Sequence, residues 1–249
     1  MEPIEQYLQS VTDLLQKIAG EKESIHRAAV AIADQIASDH LVHVFGSGGH
    51  SLMGAEEVTY RAGGLVPMNP IFEPSVSVQQ GAIRSTLLER VPGLMIAALK
   101  TWRLQAGEVI IIVNAYGINA ATIDTALEAK RLGLTTIGVT SPHTANLLAK
   151  DHPSRHPSAK NLHEIVDIWV NSHVPAGDAV VAIPGFAQKV SATSTMCNAF
   201  TLECIVAETV SVLVQRGIEP PVWMSANVPG GDEANKRHIE KYLGRIRFL

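Results

Sequence analysis

The six residues 108–113, EVIIIV, constrain the fold more than any other stretch of this sequence. Apolar side chains stand on both faces of such a run, so it suits a strand covered on both sides, as in the parallel sheets of α/β proteins. The residues after it agree: a turn at Tyr116 and Gly117, then helical spacing over about 119–132 that stops at Gly133. The same order recurs. Residues 41–45 form a short β-type run ending in glycine, and 51–62 have helical character. Residues 135–139 and 165–170 read as further strands, the first followed by Thr140-Ser141-Pro142 and a short helix. Strands that alternate with helices predict an α/β fold with a parallel sheet covered on both faces.

Two helices, broken near Gly20, are expected over residues 3–39, before the first strand. Two stretches leave the alternation. Residues 63–87 read as an extended excursion with a short strand at 65–66, and 151–160 (DHPSRHPSAK) as loop. A long helix is expected near 192–216, then a stop at Pro220-Pro221 and a last helix after Gly230-Gly231. With 249 residues, 46% hydrophobic and 18% charged, and no linker, the chain reads as one domain over 1–249. Its helical extension covers about 1–39 and its C-terminal helix about 232–247.

The net charge of −4, without a Lys/Arg block, speaks against nucleic acid as a partner. The N-terminal MEPIEQYLQSVTDLL is acidic and amphipathic, and no run of ~18 apolar residues occurs, so no membrane partner and a cytoplasmic location are expected. Cys197 and Cys204 lie about 10 Å apart along one helix. That is too far for a disulfide, and both read as structural thiols.

In a parallel α/β sheet, ligands sit outside the carboxyl ends of the strands. The first such loop, Gly46-Ser47-Gly48-Gly49-His50-Ser51, offers backbone amides and hydroxyls to an anion. It lacks the lysine of a Walker A loop. It also lacks the third glycine and the following ribose acid of a dinucleotide site. No cofactor is therefore expected. The second loop, Asn114 to Asn119, and the third, Thr140-Ser141-Pro142, add small polar groups that suit a compact phosphorylated ligand.

The segments GSGGHSLMGAEEVTYRAGG, SRHPSAKNLHEIVDIWVNSHVPAGDAVV and PPVWMSANVPGGDEANK carry a resemblance over nearly the whole chain. They resemble the sugar isomerase (SIS) domain, and within it the bacterial proteins labelled phosphosugar or phosphoheptose isomerases. The resemblance implies a flavodoxin-like three-layer α/β/α sandwich with a mainly five-stranded parallel sheet. It also implies a phosphorylated sugar as ligand and a homodimer or homotetramer. Two departures stand out: the Ser-x-Ser-Gly turn usual after the second strand is here Asn114-Ala115-Tyr116-Gly117, and the first loop is one residue longer.

An aldose-ketose isomerisation needs a base for the proton α to the carbonyl and a shuttle between the two oxygens. Glu57 is the first choice for base, with Glu56 beside it, because both follow the glycine loop on one helix and phosphoheptose isomerases place a glutamate there. His50 is the candidate shuttle. Gly46, Ser47, Gly48, Gly49, Ser51, Asn114, Tyr116, Gly117 and Ser141 are the candidate phosphate and sugar contacts. Arg155 is a candidate clamp, and Asp178 should reach the same edge. Ser194 and Thr195 read as a helix cap. His152 and His156 sit four apart, but in a proline-bearing loop rather than on a helix, so no metal site is expected. By resemblance, Glu233, Asn235 and His238 are candidates for a site, this subunit's own or a neighbour's. A phosphosugar isomerase acting through an enediol is the leading expectation. A phosphosugar-sensing protein without turnover and an amino-sugar-phosphate lyase or etherase are the alternatives.

Overall fold

A computed structural model describes residues 2–249. Two helices come first, α1 (Pro3–Ala19) and α2 (Lys22–Ala37). Five strands come next in chain order: β1 (Val42–Gly46), β2 (Met68–Pro70), β3 (Val109–Val113), β4 (Thr135–Thr140) and β5 (Ile168–Asn171). They form one parallel sheet in the order β2-β1-β3-β4-β5, so the flavodoxin-like sandwich is present. The chain leaves β1 to one side and returns to the other. The gap between the carboxyl ends of β1 and β3 is thus the topological switch point.

Side-chain alternation along the strands builds two cores. Val42, Val44, Val109, Ile111 and Val113 face α2 and α9 (Ser194–Gln215). Phe45, Ile110 and Ile112 face α5 (Leu94–Leu99), α6 (Ala120–Arg131) and α8 (Leu162–Ile165). The short α3 (Ser51–Glu57) connects β1 to the central layer, and α4 (Ala82–Leu88), α7 (His143–Leu147) and α10 (Gly231–Tyr242) complete the shell. Helix α9 is long and apolar enough to cross a membrane by length and composition, yet half of its apolar window is buried against the rest of the fold. It packs on α1, α2 and α3 as the central helix of one layer. Its Cys197 is buried, which pushes the thiol up to about 11, and neither cysteine is in a disulfide.

Four local expectations need correction. The second strand is Met68–Pro70, not 65–66; Leu65 instead makes an antiparallel bridge to Val222. Pro70 ends this strand at the sheet edge, where a missing amide costs nothing. The strand expected at 165–170 begins three residues later, because residues 162–165 close a helical turn with a capping box between Asn161 and Glu164. A hairpin of β6 (Ala179–Val181) and β7 (Val190–Ala192) was not expected. Ser194 does not cap α9 with Thr195; the Asp178 carboxylate accepts from the amides of Thr193 and Ser194 at 2.8 and 2.7 Å.

Candidate functional site

At the switch point lies an open cavity of about 390 Å³, lined by the turns after β1 and β3 and by residues 89–90, 144–154 and 178–194. The β1 turn is tight. A Cβ on Gly46 would stand 2.0 Å from the Ser51 carbonyl oxygen, so the backbone can double back only without a side chain there. Gly48 has φ +74, and a Cβ on it would meet Glu89 Oε2 at 2.0 Å. The amides of Gly48, Gly49, His50 and Ser51 have no hydrogen-bond partner among the described residues. Such a row of free donors accommodates an oxyanion.

The β3 turn differs. Asn114 Oδ1 accepts from the amides of Tyr116 (3.1 Å) and Gly117 (2.7 Å). Its Nδ2 donates to Ser47 O and Oγ at 3.2 and 3.1 Å. Asn119 caps α6 by accepting from Thr122 N, and Ala121 N donates to the Glu89 carbonyl. Asn114 thus claims two amides of this turn, while those of Ile118, Asn119 and Ala120 have no partner among the described residues.

Of the expected contacts, Ser47, Gly48, Gly49, His50, Ser51, Asn114, Tyr116 and Asp178 line the cavity. Several of these are already engaged. Ser47 Oγ is 1% exposed and bonded to Thr122 and Asn119. Asp178 holds the start of α9, where its negative charge complements the helix dipole. Gly46, Gly117, Ser141, Arg155, Glu56 and Glu57 lie outside the cavity lining. Ser141 Oγ donates to Val174 O at 2.7 Å. Gly117 lends its amide to Asn114, and Arg155 spends its guanidinium on Asn161 and on the carbonyls of Ala145 and Leu148. Glu57 pairs with Arg61 at 3.1 Å on the flank facing Glu203 of α9, and Glu56 accepts from Gln79. Helix α3 turns Ser51 to the cavity, and at about 100° per residue Glu56 and Glu57 lie more than about 100° round from it, away from the cavity. Asn235 likewise exchanges two hydrogen bonds with the Met224 backbone, and His238 packs edge-on to Trp223; neither lines the cavity.

The carboxylate that does line it is Glu89, at the end of α4, unforeseen in the sequence. Burial raises its pKa, partly offset by the charge of Arg90. One signal was available: an acid at a helix C-terminus opposes the dipole, and it sits directly before Arg90-Val91-Pro92-Gly93. Across the cavity stand Tyr116, Thr144 and His152. Burial, then the Asp178 charge, raises the Tyr116 phenol, so it stays protonated and can donate. The repeated His-Pro-Ser of residues 152–158 builds the same turn twice. Ser154 N donates to His152 Nδ1 at 3.2 Å, and Ser158 N to His156 Nδ1 at 3.0 Å. Each ring thus keeps its proton on Nε2. His152 lines the cavity, while His156 offers its proton to buried Asp124 at 3.2 Å. No group of three metal-ligating side chains occurs among the described residues.

The SIS domain family model matches residues 6–141. The chain belongs to the SIS-domain family, within the group of UPF0309 proteins. It is 37% identical to the UPF0309 protein of Geobacillus kaustophilus over 247 residues, covering 99% of this chain and 96% of that one. It is 36% identical to the UPF0309 protein of Streptomyces coelicolor, over 99% of this chain and 97% of that one. Among solved structures it is similar in fold to a phosphoheptose isomerase from Neisseria gonorrhoeae. There the TM-score is 0.56 at 12% identity, over 84% of this chain and 97% of that one. A phosphoheptose isomerase from Francisella tularensis gives 0.53 at 14% identity, over 84% and 96%.

Proposed function

We propose that the protein binds a phosphorylated sugar in this cavity and interconverts its aldose and ketose forms, acting as a cytoplasmic homo-oligomer. The observation that carries the reading is the meeting, in one switch-point cavity, of four unpartnered amides with a carboxylate of raised proton affinity. The amides of residues 48–51 hold the phosphate. Glu89 takes the proton α to the carbonyl, leaving a cis-enediol, and returns it to the neighbouring carbon. A pKa moved toward neutrality suits a group that must accept and then give up one proton. His152 Nε2–H, with His50 alongside, carries the second proton between the two oxygens, and the Tyr116 phenol donates to a sugar hydroxyl. Family membership supports the ligand class. The exposed apolar side chains Ile4 and Leu8 on α1, and Ile83 and Leu87 on α4, support self-association.

The test is turnover of hexose, heptose and amino-sugar phosphates by the protein and by Glu89→Gln. The expected outcome is isomerisation at unchanged product mass, reduced about 10²- to 10⁴-fold in the variant, with ligand binding retained. Because the folded-state pKa of Glu89 is raised, its share of stability is present below the ordinary carboxylate range. That share is lost as pH rises through the elevated pKa. Glu89→Gln should therefore match or exceed the native protein in Tm at pH 7 and lose that margin toward pH 4. Absence of both turnover and thermal stabilisation across the panel overturns the reading. Binding without turnover would favour a sensing protein. A product of changed mass would favour a lyase or etherase.

A further inference from the structure

A second cavity, of about 430 Å³, opens at the opposite end of the sheet, beside the start of β1 and β3 and against the last residues of the chain. Its floor is a relay of hydrogen bonds whose directions are fixed by chemistry. The Arg247 backbone N–H can only donate, so Asn69 Oδ1, 3.1 Å away, accepts. The Asn69 Nδ2 group then donates to His43 Nδ1 at 3.1 Å. His43 is thereby the neutral tautomer with its proton on Nε2, which it gives to Glu108 Oε2 at 2.9 Å. The same Glu108 oxygen accepts from Gln105 N at 2.8 Å. His43 is 3% exposed, so this is a built wall rather than a surface accident.

Three arginines line the mouth: Arg103, Arg245 and Arg247. Arg245 is neutralised by Asp39. Arg103 and Arg247 have no carboxylate within 4.0 Å among the described residues. Glu108, the acid nearest in the wall, is already committed to His43 and Gln105. The Arg247 guanidinium lies over the Trp102 ring, 4.3 Å from its centroid; Nη1 donates to the Thr101 carbonyl at 3.4 Å, and Nε and Nη2 have no partner among the described residues. Arg103 is held at φ +52, a left-handed conformation that costs a non-glycine residue strain energy. A protein of net charge −4 thus keeps two unneutralised guanidinium groups at one concave, polar site.

We infer that this cavity is a second anion site, which takes the phosphate group of a small phosphorylated metabolite between Arg103 and Arg247. It lies across the sheet from the cavity beside Glu89 and shares no residue with it. A ligand here would bridge the turn before β3 to the C-terminal segment, and so couple the chain's end to the strand that carries the β3 turn.

The experiment is crystallography with tungstate as a phosphate analogue, paired with calorimetric titration of inorganic phosphate at fixed ionic strength. An anomalous peak between Arg103 and Arg247 is expected, whatever is found at residues 48–51. Arg103→Gln, an exposed substitution outside both cores, should weaken phosphate at this site about tenfold, the scale of one charge-assisted hydrogen bond. It should leave binding at the glycine turn unchanged. Displacement of tungstate by glucose 6-phosphate alone would assign the site to sugar phosphates. Equal displacement by glycerol phosphate would assign it to phosphomonoesters in general. No peak at saturating tungstate, displacement by neither compound, or native affinity in Arg103→Gln would overturn the inference. Because the peak is located directly, an empty glycine turn would count against the proposed isomerase and not against this site.

Discussion

The turns after β1 and β3 begin alike. Each leaves a buried strand, passes through small polar residues and a left-handed glycine, and enters a helix. They differ in which of their donors are already taken. In the β1 turn, four successive amides are unclaimed from its second glycine onward, whereas in the β3 turn Asn114 takes the amides of Tyr116 and Gly117, ties the turn to Ser47 and leaves only those of Ile118, Asn119 and Ala120 open. Glycine content therefore does not measure anion capacity. What matters is which donors the loop has already satisfied, and a single asparagine in place of a serine is enough to satisfy two.

The largest expected effect comes from breaking the open turn. Gly48→Val places a β-branched side chain at φ +74 and drives its Cβ into the Glu89 carboxylate. Strain of about 1–3 kcal/mol must be absorbed. Glu89 can swing aside, since the clash is with the tip of a flexible side chain, so it is the strain at φ +74 that turns the loop's amides from the cavity. Sugar-phosphate affinity should fall about 100-fold or more, since several charge-assisted bonds of about 1.5–3 kcal/mol each are lost. Calorimetry with the best ligand from the panel reads this directly. Native affinity in a folded Gly48→Val protein would mean that the phosphate sits elsewhere.

Freeing the two amides that Asn114 holds should have a smaller effect. Asn114 is 7% exposed and makes four hydrogen bonds, so Asn114→Ala leaves two amides and Ser47 without their partner. A stability loss of about 2–3 kcal/mol is expected in denaturant unfolding. Asn114→Ser should lose less and return a hydroxyl to the place where the resembling proteins carry one. If both variants unfold like the native protein, the turn is not held by Asn114, and the contrast between the two turns fails.

Much of this arrangement was legible beforehand, and the illegible parts have physical causes. Continuous apolar runs such as 108–113 announce a covered parallel strand whatever surrounds them, so β1, β3 and β4 can be read from local sequence, whereas the strand order that makes the switch point is set by pairings between distant segments. The edge strand Met68–Pro70 is hidden because its three residues include a proline, which only an edge tolerates. In the site, the glycine turn was readable, since close approach demands small residues at fixed positions. The status of its donors was not readable, because Asn114 and Ser47 meet only through the sheet. Glu89 was missed for the same reason: 41 residues separate it in sequence from Gly48, which its carboxylate touches.

The smallest expected effect concerns Glu57. Sequence proximity to the glycine turn makes it the natural base, and helix phase removes it. Its carboxylate pairs with Arg61, one turn further on, at a position where both groups are partly exposed. Such an i,i+4 pair is worth about 0.3–0.5 kcal/mol. Glu57→Gln should therefore shift stability by no more than that and leave turnover within about twofold of native, a ΔΔG‡ of ~0.4 kcal/mol. Measuring it beside Glu89→Gln under identical conditions gives the sharper form of the contrast. If Glu57→Gln abolished turnover while Glu89→Gln did not, α3 would have to rotate by roughly a third of a turn on ligand binding, because residues on a helix advance by about 100° each. The buried Gly54, set between Val113 of β3 and Leu202 of α9, and Ala55 of the same core would have to leave it for that to happen, so the packing of α3 opposes such a rotation.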